Sequence, residues 1–243
     1  MSRIHLSTTT STNEYLKELS ERMPLPEWSY VRADFQTNGK GQRGNSWMAE
    51  PNKNLLVSYF VKPTFIKPFS AFDLNRVVCN SIIRVLRHYH LYEGCIKWPN
   101  DILIRNMKVG GILIENNLSI SAVENSVIGI GLNVNQDQFE GIKYGATSLS
   151  NQLGSWVDID QLALKLEEEL RNEIEELRTN PNAVRQYFFD NMFGVLNDFQ
   201  FVHDGVAKTG RIVDLSLEGR IAVRVDGQIA FFNFKEIEFK LEG

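Results

Sequence analysis

The spacing of apolar residues changes near residue 195, and that change constrains the fold more than any single motif. Before it, two long segments carry apolar residues at helical spacing, residues 69–90 and residues 158–178. In the second, Leu162, Leu166, Leu170 and Ile174 stand four apart, the stripe of an amphipathic helix. After it, only short alternating runs remain, at 210–215, 220–225, 230–234 and 237–240. They are separated by the turn pairs Glu218-Gly219 and Asp226-Gly227. A chain of 243 residues, 43% hydrophobic, holds one good core and a small second one. The expected fold class is α+β: a mixed β-sheet with helices over residues 1–194, then a small SH3-like β-barrel over residues 195–243.

Within the first part, Ser11 followed by Glu14 fits a capping box that opens a helix carrying Tyr15, Leu16 and Leu19, with Pro24 ending the pattern. Strands are expected at 29–35, 54–62, 95–98, 102–105, 110–116, 119–123 and 127–133. Residues 105–108 supply the turn of a hairpin with Lys108 at its tip. A further helix is expected at 181–191. Residues 36–53 and 136–149 read as long polar or irregular loops, and loops of that length inside compact domains are functional or disordered.

Composition excludes some classes of function. The formal net charge is −4, which favours no nucleic-acid partner. No run approaches a membrane span, and the N-terminus lacks an apolar signal core. Cys79 and Cys95 match no zinc-ligand spacing and read as two reduced thiols of a cytoplasmic protein. His88 and His90 are two apart in a helical pattern and point to different faces, so they make no metal pair.

Three segments carry chemistry. Residues 39–47 read GKGQRGNSW. Gly39, Gly41 and Gly44 allow close backbone approach to a ligand, and the successive amides of such a loop form an anion-binding concavity. Lys40 and Arg43 add charge, and Trp47 offers a stacking surface. The run is neither a Walker A loop nor a dinucleotide fingerprint. Residues 97–101 read KWPND. Pro99 fixes its own φ and biases Trp98 to extended backbone, holding Lys97 where a carboxylate or a phosphate can meet a point charge. Asp101 is either a structural cap of this turn or a contact. Residues 129–135 read GIGLNVN, and glycines inside a strand mark a close approach of a ligand or another backbone.

In order and spacing, these three segments resemble the biotin–protein ligases, and the similarity covers essentially the whole chain. The resemblance implies a class II synthetase-like catalytic fold shared with lipoate ligases. It implies ATP-dependent activation of biotin to biotinyl-5′-AMP, with Mg²⁺, then transfer to a lysine of a biotin carboxyl carrier protein, as by a biotin–[acetyl-CoA-carboxylase] ligase. Lys97 and Arg43 would be the catalytic cations. Biotin would be held by Ser11, Thr12, Asn13, Gln36, Gly39, Lys40, Gly41, Gln42, Lys97, Gly111, Gly129 and Gly131. ATP would be held by Lys40, Gln42, Arg43, Trp47, Asn100, Lys108, Asn133 and Ala146. The usual family loop is GRGRxGRxW. Here Lys40, Gln42 and Asn45 replace three arginines, which lowers its charge and leaves open which side chain neutralises the phosphate.

About ten residues precede the Ser-Thr-Asn segment, so the resemblance is to the short form without an N-terminal DNA-binding module, and no DNA partner is expected. A monomer and a homodimer both occur in the family, and a strand edge near Gly129-Ile130-Gly131 could serve as the dimer face. The alternatives are a lipoate ligase or octanoyltransferase of the same fold, and a non-catalytic biotin-binding protein.

Overall fold

A computed structural model describes residues 2–139 and 145–241, apart from the side chain of Arg43. The chain is α+β, as its periodicity indicates. Seven strands form one sheet: β1 (Arg3–Leu6), β2 (Ser29–Ala33), β3 (Asn54–Val61), β4 (Gly94–Lys97), β5 (Asp101–Ile104), β6 (Met107–Leu118) and β7 (Val123–Asn133). Their order is β1-β2-β3-β7-β6-β5-β4, with β1 and β2 parallel and every other pair antiparallel.

The strand β3 is buried along its whole length, so both of its faces are covered. Alternation decides what each face meets. Leu55, Val57, Tyr59 and Val61 enter the main core. That core is closed by α2 (Phe72–His88), α4 (Ile159–Thr179) and α5 (Pro181–Asp190), which bring Val77, Ile82, Leu166, Leu170 and Phe188. Phe60, one residue out of phase with these, joins Leu16, Val31 and Val127 under α1 (Thr12–Arg22) on the opposite face. Ser58 shares this second face.

The C-terminal part is a five-stranded antiparallel sheet: β8 (Phe199–His203), β9 (Val206–Leu215), β10 (Ile221–Val225), β11 (Gln228–Phe232) and β12 (Glu238–Lys240). The pairing runs β11-β10-β9-β8-β12, consistent with the SH3-like arrangement. Its inner residues Phe199, Phe201, Ile212, Val223 and Phe239 belong to the same continuous core as the large sheet.

Several expectations change. Residues 119–123 are the turn of the β6–β7 hairpin, not a strand, because the Ser119 hydroxyl accepts from the amides of Ser121 and Ala122 and folds the backbone back. Lys108 lies in β6 rather than at a tip; the turn is made by Arg105 and Asn106, both at positive φ (51° and 64°), the geometry of a two-residue hairpin loop. The short α3 (Leu149–Leu153), β1 and β8 went unread. Part of the 136–149 segment lies outside the described residues.

The capping box at α1 does not form. Ser11 makes no side-chain cap bond, and Glu14 pairs with Lys40 instead. The free amide of Thr12 donates to Gln36 Oε1 at 2.7 Å, so a side chain from the next loop caps this helix. Cys79 and Cys95 are both free thiols; burial pushes both above the usual range, Cys95 to about 11. No helix among the described residues is long and apolar enough to cross a membrane.

Candidate active site

The face of the large sheet beneath α1 opens into a cavity of about 540 Å³. Its floor follows from strand alternation. On β7, Ile128, Ile130 and Leu132 turn into the core, so Gly129 and Gly131 face the cavity. Gly131 pairs with Gly111 of β6, and Gly129 pairs with Leu113 on one side and Ser58 on the other. The floor is therefore nearly free of side chains, which lets a ligand or another side chain approach the backbone.

Two different chemistries meet over this floor. Over Gly129 sits a buried polar network. Thr12 donates from its hydroxyl (3.1 Å) as well as its amide to Gln36 Oε1. Both bonds use the Gln36 carbonyl, so its amide nitrogen is left to donate elsewhere. Asn13 Nδ2 donates to the Leu113 carbonyl (3.2 Å) and to Glu115 (3.1 Å). The Ser58 hydroxyl lies 2.6 Å from Asn13 Oδ1 and 2.8 Å from Thr12 Oγ1, and its single proton serves one of them at a time. A Cβ on Gly129 would come within 2.2 Å of Asn13 Oδ1.

Two residues along β7, about 7 Å of strand, the surroundings become cationic. Lys97 Nζ lies 3.0 Å from one carboxylate oxygen of Asp101, and Lys108 Nζ lies 2.6 Å from the other. Asp101 faces Lys97 across β4–β5 and pairs with Gly111 across β5–β6, so the register itself delivers the carboxylate. The Trp98–Pro99 bond is cis, and Asn100 Nδ2 ties the turn to the Ile112 carbonyl at 2.7 Å. Trp47 rests on the floor: a Cβ on Gly131 would lie 2.5 Å from its ring. Lys108 Nζ lies 5.3 Å from the centre of that ring. The buried indole N–H finds no acceptor among the described residues.

Burial pushes the Asp101 carboxyl up, but Lys108 and Lys97 outweigh it and hold the group below its ordinary 3.8. A depressed folded-state pKa stabilises the fold above the unfolded value, and that contribution is lost as pH falls through the folded value. In urea titrations, wild-type stability should therefore drop below about pH 4, whereas Asp101→Asn should be less stable at neutral pH and lack this component of the drop.

Of the residues singled out in the sequence, Ser11, Thr12, Asn13 and Gln36 line the cavity at the network side. Lys97, Asn100, Lys108, Gly111, Gly129 and Gly131 line its floor and cationic side. The loop contributes Lys40, Gly41, Gln42 and Trp47. Gly39, Asn133 and Ala146 do not line it. A Cβ on Gly39 would clash with the Trp47 carbonyl at 2.4 Å. Asn133 donates to the Thr147 carbonyl at 3.1 Å, and Ala146 bridges to Lys108, so both tie the segment before α3 to the end of the sheet. The Arg43 side chain lies outside the described residues.

Two groups escaped the sequence reading. Phe234, Lys235, Ile237, Glu238 and Phe239 bring the C-terminal sheet to the cavity wall, with Lys97 Nζ 5.7 Å from the Phe239 ring centre. Nothing local in 234–239 signals this, because the contact is tertiary. Ser58 had a signal, a lone serine inside the apolar run Leu55–Val61. Ser58→Ala should leave Asn13 without its fixed donor, cost about 1–3 kcal/mol of stability and weaken ligand binding over Gly129, which calorimetry would read.

The sequence model of the biotin/lipoate A/B protein ligase family matches residues 6–133, more than half of the chain. The chain belongs to this family. Among curated members of the biotin/lipoate ligase family, the bifunctional ligase/repressor BirA of Bacillus spizizenii is 33% identical over 158 residues, covering 64% of this chain and 48% of its own length. BirA of Escherichia coli is 31% identical over 232 residues, covering 90% of this chain and 71% of its own. The chain thus spans about half the length of the first of these relatives. Among solved family structures, the biotin protein ligase from Aquifex aeolicus, in complex with biotin and ATP, superposes with a TM-score of 0.81 at 24% identity over 99% of both chains, a likeness of fold.

Proposed function

We propose that this chain is a biotin–protein ligase that activates biotin with ATP and transfers it to a lysine of a biotin carboxyl carrier domain. The observation that carries the reading is the two-sided cavity: a fixed amide and hydroxyl network over Gly129, and a lysine pair sharing one carboxylate a few ångströms along the same floor. The ureido head of biotin is a neutral urea with two donors and one acceptor. Asn13 Oδ1 can accept from it, and the Gln36 amide, its carbonyl already used, can donate to its oxygen. A cyclic disulfide such as the lipoyl ring has no such groups and would leave this network unpaired.

In the first step a carboxylate oxygen of biotin attacks the α-phosphorus of ATP. The bond to the bridging oxygen breaks and pyrophosphate leaves, giving the mixed anhydride biotinyl-5′-AMP. Two anions have to approach one another, and Lys97 and Lys108 offset their charge as it concentrates in the transition state. Trp47 offers an aromatic face for the adenine and an N–H that has no acceptor among the described residues. In the second step a neutral amine of the carrier lysine attacks the acyl carbon and AMP leaves with the electron pair of the broken bond.

Mg²⁺ enters this proposal as the counter-ion of the triphosphate. The cavity suits it through phosphate oxygens and water rather than through a cage, since Asp101 already serves two ammonium groups and the described residues hold no group of three His, Cys, Asp or Glu near one another. Residues 1–194 are proposed as the catalytic domain and 195–243 as the C-terminal one. The free thiols of Cys79 and Cys95 suit a reducing, cytoplasmic compartment, and the acidic balance disfavours a DNA partner.

The test is exchange of labelled pyrophosphate into ATP with biotin, lipoate and octanoate in parallel. Exchange with biotin alone is expected. Exchange with lipoate would move the chain to the lipoate branch of the family, and none with any acid would leave a binding protein.

A further inference from the structure

Arg76 is 1% exposed, and the cavity does not include it. It stands on α2 with Asp73, whose carboxylate it meets at 2.7 Å. The other oxygen of Asp73 is taken by Arg185 of α5 at 2.6 Å. Its terminal nitrogens also reach out of the first domain: Nη1 and Nη2 donate to the carbonyls of Leu217 and Ser216, in the turn between β9 and β10. Trp98, next to Lys97, donates from its indole to the carbonyl of Gly219 in the same turn at 2.9 Å. Gly219 is at φ 90°, and a Cβ there would meet Phe72 at 2.6 Å. Phe72 and Trp98 also hold Phe234, at 5.8 and 5.1 Å between ring centres, and Phe234 begins the stretch that walls the cavity.

A buried ion pair is weak evidence for stability, and replacing one by apolar groups is often neutral or stabilising. What this cation does is directional: two carbonyls of one turn are fixed to one helix. We propose that Arg76 is a positioning residue that, by gripping the 216–219 turn, sets Phe234, Lys235 and Phe239 over Lys97 and so governs the adenylation step without touching substrate. It rests on the ligase reading above. Misplacement by about 1 Å far from the chemistry can cost about a hundredfold in rate. The hydrogen bonds and ion pair of Arg76 go to Asp73, Ser216 and Leu217, none of which belongs to the biotin-facing network on α1, β3, β6 and the loop of Gln36.

The experiment compares wild type, Arg76→Met, Arg76→Lys and Phe201→Leu. The last loosens the core of the C-terminal sheet and leaves the grip intact. Wild-type exchange is read first: if it is absent, the ligase reading has failed and not this one. With wild type active, Arg76→Met is expected to lower the exchange kcat or raise the ATP KM by at least about tenfold, with biotin affinity by calorimetry within about twofold; Asp73 keeps Arg185, but the lost pair and the two carbonyls left without a donor lower the melting temperature, and Phe201→Leu controls for that loss. Arg76→Lys should recover part of the loss, and it carries the comparison if Arg76→Met does not fold. Unchanged exchange in the Met and Lys variants would overturn the proposal. So would equal losses in Arg76→Met and Phe201→Leu at equal melting temperature, because the arginine would then act only through stability.

Discussion

Lys97→Ala is expected to lower biotin-dependent pyrophosphate exchange by about a hundredfold to a thousandfold, the range seen when one preorganised group opposite developing charge is removed. The fold should survive. Asp101 keeps Lys108 at 2.6 Å, so no buried carboxylate is orphaned, and the lysine stem is replaced at a partly open wall. A melting temperature within about 3 °C of wild type would go with that. The informative contrast is binding: biotin affinity should fall far less than exchange, because the head of the ligand is held over Gly129. Near-normal exchange in the variant would remove Lys97 from the chemistry.

Gly129→Ala should act at the other side. The new methyl would lie 2.2 Å from Asn13 Oδ1, and Asn13 has nowhere to go, being held by Ser58, the Leu113 carbonyl and Glu115. Either Asn13 turns away or β7 shifts, and overpacking of this kind costs about 1–3 kcal/mol. Losing one or two ligand hydrogen bonds, at about 1–1.5 kcal/mol each, corresponds to a biotin affinity weaker by about tenfold to a hundredfold. Calorimetric titration with biotin reads this directly, and an unchanged dissociation constant would mean that biotin does not bind against Asn13.

The sequence marks both of these cavity residues. Lys97 stands in a proline-fixed turn, and Gly129 interrupts an apolar strand, which marks the close approach of a ligand or of another part of the chain. The helices were legible for the same reason, since α2 and α4 repeat their apolar residues over several turns. Short elements were not. The four residues of β1 carry no period long enough to read, and residues 119–123 look like a strand until the Ser119 hydroxyl is seen to fold them back. The capping box failed for a tertiary reason, because Lys40 and Gln36 arrive from a distant loop and outcompete the local pairing. Phe239 failed in the same way. Its place beside Lys97 depends on how one sheet docks on another, which no local pattern encodes.

The single core that runs from α4 through Phe201 to Ile221 has a thermodynamic consequence. Two domains with separate cores can melt one after the other; two sheets that share one core lose it together. Heat should therefore take the cavity wall and the C-terminal sheet in one cooperative transition, with calorimetric and van't Hoff enthalpies in agreement. Any ligand that binds only the closed cavity would then raise the melting point of the entire chain, including strands it never touches.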